Sequence, residues 1–83
     1  MQNSLNEVYL SEIPSGKNVI ISALHEGNEL NRRLTSLGFT PGTGVEIVQN
    51  FGHGPMIVTV RGMKIALGRG EAAKIFVYED EKK

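Results

Sequence analysis

The sequence predicts a mainly β domain: a small closed or nearly closed barrel of about five strands, with one α-helix after the first strand and a short helical turn before the last. Three observations predict this. The 83 residues suffice for one compact core. Short stretches of alternating apolar residues recur between residues 17 and 78. A run of helix-ending residues after residue 37 separates the first stretch from the others.

The chain enters the barrel through residues 10–16, where Pro14 and Gly16 predict a turn. Residues 17–24 follow as the first predicted strand, because Val19, Ile21 and Ala23 alternate along one face. Ile20 and Leu24 add apolar surface to the other face. Both faces of this strand are therefore expected to be partly covered, with the helix as a candidate cover.

The helix is predicted to begin at Asn28, a good N-cap residue, and to place Leu30, Leu34 and Leu37 on one stripe. Gly38 then stands where a helix that ends in the left-handed conformation favours a residue without a β-carbon. Phe39 follows at the position that folds back onto Leu34. These residues predict a Schellman motif, and the next two, Pro41 and Gly42, predict a turn into the second strand.

From residue 45 onward the pattern is β. Alternation predicts strands at residues 45–48, 56–61, 64–68 and 74–78, joined by a Gly62-Met63 type II′ hairpin loop and, at residues 69–73, a single helical turn. Arg61 is expected on the outer, wetter face of its strand. The residues predicted to face inward are Val45, Ile47, Met56, Val58, Val60, Ile65, Leu67, Ile75 and Val77.

Composition limits the classes of function. Lys and Arg total 9 and Asp and Glu total 9, so no global field attracts nucleic acid or an anionic membrane. Cysteine is absent, which excludes disulfides and thiolate metal sites. The N-terminus lacks a secretory pattern, and no apolar run reaches the ~20 residues of a membrane span. We expect one cytoplasmic domain over residues 1–83, with a core at about 5–78 and a charged tail at 79–83.

A series of short motifs runs along the chain: Leu10-Ser11-Glu12-Ile13-Pro14-Ser15-Gly16, Arg33-Leu34, Leu37-Gly38-Phe39-Thr40-Pro41-Gly42, Gly54-Pro55, Val60-Arg61-Gly62, Ile65-Ala66-Leu67 and Ala72-x-x-Ile75-x-Val77. Together and in this order, these motifs resemble the FeoA family, small cytoplasmic components of bacterial ferrous iron uptake. The resemblance extends from residue 5 to residue 78. It implies an SH3-like barrel and a non-enzymatic accessory protein without a cofactor. It also implies a partner, FeoB, a membrane iron transporter with a cytoplasmic GTPase domain.

Most of the matching residues are explained by backbone geometry and core filling. They define the fold rather than a site. Contact with the membrane is expected only through the partner, and any self-association is expected to be weak. The fold-defining residues are Leu34, Leu37, Gly38, Pro41, Gly42 and Gly62.

Four residues are predicted to bind the partner: Arg33, Phe51, His53 and Met56. Residues 51–56 form a glycine-rich loop between strands, and loops of this kind carry recognition. Two alternatives stand for this segment: a structural turn with Phe51 and Met56 in the core, or a loop that offers both to a partner. For Arg33 the alternatives are packing with a local ion pair and direct contact with the partner.

No specific metal site is predicted. His25 and His53 are the only histidines, and the sequence contains no short HxH, HxxH or HxxE spacing. Glu26 or Glu71 could complete only a weak transition-metal site with one of them. The alternative function is a metal-responsive domain similar to the C-terminal domain of iron-dependent repressors. An 83-residue chain leaves no room for their DNA-binding and dimerisation domains, so a free-standing repressor is not expected.

Catalysis is not expected. The chain has no G-x-S-x-G, P-loop or Rossmann motif, and Gly68-Arg69-Gly70 is too short to cradle a phosphate. A small nucleic-acid-binding barrel remains an alternative, because Arg61, Lys64, Arg69 and Lys74 could form a local basic strip. Such a strip is more often a solvated face, and the balanced net charge counts against this alternative.

Overall fold

A computed structural model describes residues 7–24 and 28–79 of the chain. The order of elements is strand, 3₁₀ helix, strand, helix, three strands, helix and strand. Their bounds are β1 Val8–Tyr9, the 3₁₀ helix Leu10–Glu12, β2 Asn18–Leu24, α1 Asn28–Ser36, β3 Gly44–Gln49, β4 Met56–Val60, β5 Met63–Leu67, α2 Arg69–Ala72 and β6 Ile75–Glu79.

The strands form one antiparallel sheet in the order β1-β6-β2-β3-β4-β5. The last strand, β6, lies between β1 and β2, so the first and last strands of the described chain are neighbours in the sheet. The sheet surrounds a single apolar core that includes Leu34 of α1 and Ala72 of α2. The mainly β barrel with one inserted helix and a short helical turn before the last strand, as predicted, is confirmed.

The core follows from the alternation of the strands. Burial alternates residue by residue along β3, β4 and β6, as expected for strands with one face on the core and one toward solvent. Leu67 is buried and Ile65 is partly buried against the core. The inward positions predicted from sequence are therefore confirmed. Those that are buried are Val45, Ile47, Met56, Val58, Val60, Leu67, Ile75 and Val77.

Helix α1 ends as the sequence predicts. Gly38 has φ +107°, and the Phe39 N–H donates to the Leu34 carbonyl at 3.0 Å. The Gly38 N–H donates to the Thr35 carbonyl at 3.0 Å. These two bonds define a Schellman motif, and Leu34 and Phe39 are both fully buried. The side chains of Asn28 and Leu30 lie outside what the structure describes, so the predicted cap and the third stripe residue stay predictions.

The predicted turn at Pro41-Gly42 is also present. The Thr43 N–H donates to the Thr40 carbonyl at 3.0 Å, and Gly42 at the third turn position has φ +91°. A left-handed residue at that position after a proline is typical of a type II turn. Immediately afterwards the Ile21 N–H donates to the Thr43 carbonyl, so the chain rejoins β2 as soon as the helix has ended.

The described residues form six strands, one more than the five that alternation predicts. The missed strand, β1, is only two residues long and carries no readable alternation. It exists because Val8 pairs with Val77 and Tyr9 pairs with Phe76 on β6. The Tyr9 and Phe76 rings lie 4.9 Å apart between centroids. Such a strand is defined by a partner at the far end of the chain, which local periodicity does not reveal.

The hairpin loop between β4 and β5 differs from the prediction. The loop is Arg61-Gly62, with φ +53° and +82°, which is a type I′ turn. The predicted Gly62-Met63 loop is wrong, and Arg61 lies in the turn rather than on the outer face of a strand. The predicted register would place Arg61 opposite Lys64, two like charges. The observed register places Thr59 opposite Lys64 and also pairs Met56 with Leu67.

Other strand boundaries differ from the prediction by one residue. The strands predicted at residues 45–48, 64–68 and 74–78 lie at Gly44–Gln49, Met63–Leu67 and Ile75–Glu79. The first predicted strand begins at Asn18, one residue later than expected. The last strand continues through Glu79, which was assigned to the charged tail, and Glu79 pairs with Lys17 at 3.6 Å. The single helical turn predicted at residues 69–73 is confirmed as α2. Residues 5, 6 and 80–83 of the predicted core and tail lie outside the described residues.

Shortening Leu34 tests the packing of α1 on the barrel. Leu34→Ala should lower the free energy of unfolding by ~2 to 5 kcal/mol, because Leu34 is fully buried and its removal leaves a cavity. Chemical denaturation monitored by circular dichroism measures the change. The exposed neighbour Thr35→Ala is the control and should change stability by less than about 0.5 kcal/mol. An unchanged Leu34→Ala midpoint would contradict the packing described above.

Gly38 and Gly42 form a matched pair for testing the helix end. Both have positive φ, but a β-carbon at Gly38 would lie 2.5 Å from Cδ of Arg61, whereas one at Gly42 meets nothing within 4 Å. Each alanine should cost about 1 kcal/mol or more through backbone strain. Gly38→Ala should cost more than Gly42→Ala in thermal melts, because the Arg61 side chain must also move. Equal losses would show that this contact carries no energy.

Candidate functional site

The loop between β3 and β4 carries the most exposed large apolar side chain of the described residues. We call residues 51–55 the Phe51 loop. Phe51 is 68% exposed, and His53 beside it is also exposed. Gly52 and Gly54 have φ +89° and +72°, so the loop reverses direction at left-handed positions that glycine adopts without strain. The loop therefore carries an exposed aromatic residue and, two residues on, an exposed histidine.

The Phe51 loop is attached to the barrel through Asn50. The Asn50 amide nitrogen Nδ2 donates to the carbonyls of Ser11 and Ile13, at 3.2 and 2.7 Å. Its Oδ1 accepts the Gly52 N–H at 3.0 Å. Its backbone N–H donates to Ser15 Oγ at 2.8 Å. One side chain therefore fixes the first turn of the loop against the segment that follows β1.

Arg69, the first residue of α2, holds the same region from the other side. Its Nη1 donates to the Gly54 carbonyl at 2.9 Å, and its Nη2 donates to the Ser11 carbonyl at 2.9 Å and to Asn50 Oδ1 at 2.8 Å. We call this set of three bonds the Arg69 clamp. It joins the far side of the Phe51 loop, the base of the loop and the 3₁₀ helix. The guanidinium is planar and offers donors in a fixed fork, which suits three fixed acceptors.

Met56 does not belong to the exposed surface. It is the first residue of β4, it is fully buried, and it pairs with Leu67. The prediction that Met56 is offered to a partner is wrong, because the alternation that buries Val58 and Val60 also turns Met56 inward. Each of the two alternatives for the loop thus holds for one residue: Met56 lies in the core, whereas Phe51 is exposed. Partner binding by Phe51 and His53 stays a prediction.

Arg33 makes the local ion pair that was one of its two alternatives. Its Nη1 contacts Oε2 of Glu71 on α2, while Glu71 Oε1 accepts the Gly68 N–H at 3.1 Å. The Arg33 side chain remains half exposed, so this pair adds little stability. Arg33 and the Phe51 loop are thus both tied to α2, the first through Glu71 and the second through Arg69. Contact of Arg33 with a partner stays a prediction.

Two residues of this site, Asn50 and Arg69, were missed by sequence reasoning. Arg69 was assigned to a basic strip, but its guanidinium is half-buried and bound to three neutral oxygens. Asn50 directly precedes the glycine-rich loop, a position at which asparagine commonly accepts a hydrogen bond from a backbone N–H two residues on. That signal could have identified Asn50. No local signal connects Arg69 to residues 11 and 54.

The described residues do not assemble a metal site. Across residues 7–24 and 28–79, no group of three or more His, Cys, Asp or Glu side chains could hold a metal ion. Glu71, one of the carboxylates considered from sequence, is already bound by Arg33 and the Gly68 N–H. His25 and Glu26 lie outside the described residues. No helix in the described part of the chain is long and apolar enough to cross a membrane.

Fold and site together define a small β-barrel domain with an anchored, exposed loop. Its family follows from comparison with known proteins. The chain belongs to the FeoA family, since the model of the FeoA domain matches residues 8–79. A relative in Methanocaldococcus jannaschii, provisionally named Fe(2+) transport protein A, is 36% identical over 66 residues. That alignment covers 80% of this chain and 79% of the relative.

Solved structures that are similar to this chain include members of the same family. The chain is similar to the crystal structure of an iron uptake regulatory protein, FeoA, with a TM-score of 0.85 and 31% identity over 90% of this chain and all of the other. It is also similar to Stenotrophomonas maltophilia FeoA complexed with zinc, described as a prokaryotic SH3 domain protein. Here the TM-score is 0.76 and the identity 29%, covering 84% of this chain and 88% of the other. The SH3-like barrel implied by the sequence resemblance is confirmed.

The likeness to metal-dependent repressors is one of fold. A manganese-dependent transcriptional repressor matches with a TM-score of 0.85 but only 15% identity, and the match covers 94% of this chain and 44% of the repressor. This chain therefore shares its fold with a domain of a longer regulatory protein. At this identity the likeness carries no information about ligands.

Because the sequence has only two histidines, far apart in the chain, we predict that the protein does not bind ferrous iron tightly. Micromolar ferrous iron under anaerobic conditions should leave the melting temperature of the protein within about one degree. A specific site at 100 times its Kd would instead add about 2.7 kcal/mol, which is roughly 10 to 20 °C in a domain of this size. Thermal melts with and without iron measure this. A rise of several degrees that is lost in His53→Ala would contradict the prediction.

Proposed function

We propose that this protein is a non-enzymatic accessory protein of ferrous iron uptake that acts by binding a FeoB-type membrane transporter with a cytoplasmic GTPase domain. The observation that carries the proposal is the Phe51 loop: an exposed aromatic side chain held on a fixed loop, in a chain of the FeoA family. The relatives named for Fe(2+) transport and iron uptake support the transport role. The proposal includes a cytoplasmic location, because the GTPase domain of the transporter is cytoplasmic.

Phe51 has the properties of an interface anchor. Aromatic side chains that are exposed in the free protein and seated in a pocket of the partner dominate many interfaces. Because the backbone of the Phe51 loop is already hydrogen-bonded to Asn50 and Arg69, little conformational entropy is lost on binding. His53 and Arg33 are proposed as polar contacts around this anchor.

The proposed mechanism is binding alone. The sequence supplies no cysteine, no phosphate-binding loop and no motif for a catalytic nucleophile. An accessory protein of this kind changes transport only if it binds one state of the transporter more tightly than another. The free energy available for that shift is the difference between the two affinities.

The other two functions considered from sequence have less support. The repressor-like function rests on a likeness of fold at 15% identity. The nucleic-acid-binding function requires a basic strip, and Arg69 is occupied by contacts within the barrel. Neither has a feature of its own comparable to the exposed Phe51.

Removing the proposed contacts tests the function. The double variant Phe51→Ala, His53→Ala should weaken association with a detergent-solubilised FeoB-type transporter by roughly thirtyfold or more, since truncating an anchor commonly costs ~2 kcal/mol. Ferrous iron uptake by cells that carry the variant should fall as well. The melting temperature should stay close to that of the parent protein, because both side chains are exposed.

Met63 offers a matched control. It is also a large, exposed apolar residue, 52% exposed, but it lies at the start of β5. Met63→Ala should leave association unchanged. Equal loss in the Met63 variant would point to general surface hydrophobicity. Full association in the double variant would move the interface away from the Phe51 loop.

A further inference from the structure

The Phe51 loop is held by a residue that lies far from it in the chain. Arg69 is 58 residues from Ser11 and 15 from Gly54, and it bonds to both carbonyls. A third bond reaches Asn50 Oδ1, the same oxygen that accepts the Gly52 N–H. Arg69 thus contacts the loop near its end and orients the acceptor that fixes its beginning.

The chemistry of these contacts requires an arginine. All three acceptors are neutral oxygens, and they are reached by the two terminal nitrogens of one planar group. A lysine ammonium is a single point of donation on a flexible stem and does not reproduce the fork. A hydrogen bond from a charged donor to a neutral oxygen is also stronger than one between neutral groups. The clamp therefore depends on geometry as well as on charge.

We propose that Arg69 is a positioning residue that holds the Phe51 loop in the conformation that presents Phe51. The consequence for partner binding rests on the function proposed above, whereas the effect on the loop itself does not. Without the clamp, the Gly54 carbonyl loses its partner from α2. Asn50 Oδ1 loses the Arg69 bond, and from outside the loop its amide group is then oriented only by the Nδ2 bonds to the Ser11 and Ile13 carbonyls. The loop then samples other conformations, and binding must first restore the presenting one.

Exchange of the Gly52 amide hydrogen tests the effect on the loop directly. This N–H is donated to Asn50 Oδ1, so its protection reports on the acceptor that Arg69 orients. In Arg69→Ala, exchange of Gly52 measured by NMR should accelerate by at least about tenfold. The Asn50 N–H, which is donated to Ser15 Oγ, should change less, and amides of the central strands β2 and β6 should not change.

Two variants separate geometry from charge. Lys74→Ala removes one positive charge at an exposed position just beyond α2 and should leave Gly52 exchange as in the parent. Arg69→Lys keeps the charge but not the fork, so Gly52 exchange should still accelerate several-fold. The Lys variant also keeps the test possible if Arg69→Ala fails to fold. Parent-like Gly52 exchange in both Arg69 variants would overturn the proposal.

A double-mutant cycle with the Phe51 loop tests the link to binding. If Arg69 acts through the Phe51 loop, Arg69→Ala should weaken association with the FeoB-type transporter about tenfold, and should weaken it no further in a Phe51→Ala, His53→Ala background. Additive losses would show that Arg69 contacts the transporter directly and would overturn the positioning role. The positioning role would also be overturned if Arg69→Ala left association unchanged while Phe51→Ala weakened it.

The two proposals fail in different ways. If Phe51→Ala binds the transporter as well as the parent does, Phe51 is not the anchor of the interface, and Gly52 exchange alone then decides whether Arg69 holds the loop. If Phe51→Ala loses binding while Gly52 exchange is unaffected by Arg69→Ala, the function stands and the clamp is overturned. Accelerated Gly52 exchange together with a non-additive cycle supports both.

Discussion

The pairing of β2 with β6 is the constraint on which the rest of the structure depends. Ile20 pairs with Tyr78 and Leu24 pairs with Ile75 across these two strands, and β2 pairs with β3 along its other edge. β6 in turn carries β1, so one central pair links the beginning and the end of the described chain. Bringing such distant segments together is entropically expensive, and the compensation comes from burying the shared face in one core.

This central pair also places the functional elements. β6 pairs with β2, the strand that precedes α1. The short helix α2, which leads into β6, is therefore brought close to both α1 and the 3₁₀ helix. A helix of four residues would be unstable alone, yet here each of its charged side chains has a distant partner: Glu71 contacts Arg33, and Arg69 contacts the base of the Phe51 loop. The short helix is thus a junction between surfaces that are far apart in sequence.

Sequence reasoning succeeded where the determinant is local. The end of α1 was readable because Gly38 and Phe39 carry the backbone conformation and the apolar contact of one motif. The inward positions of β3, β4 and β6 were readable because burial repeats every second residue. Resemblance to a family added the SH3-like connectivity, which periodicity alone leaves open.

It failed where the determinant is a distant partner or a choice of register. β1 is specified by β6, and the Arg69 clamp is specified by three segments that only the fold brings together. The hairpin of β4 and β5 has two registers that bury the same faces, so alternation could not choose between them. For the loop, composition left open whether Phe51 and Met56 lie in the core or at the surface. It could not show that Phe51 is exposed while Met56, the first residue of β4, is buried.

The close approach of Gly38 to Arg61 has a consequence for how this sequence can vary. The space that a β-carbon at position 38 would need is filled by the aliphatic stem of Arg61, whose own backbone is left-handed. The helix end and the hairpin tip therefore share one volume, and the two positions are expected to change together in homologous chains. A larger residue at 38 calls for a smaller one at 61 that still accepts a left-handed backbone, which leaves chiefly glycine and asparagine.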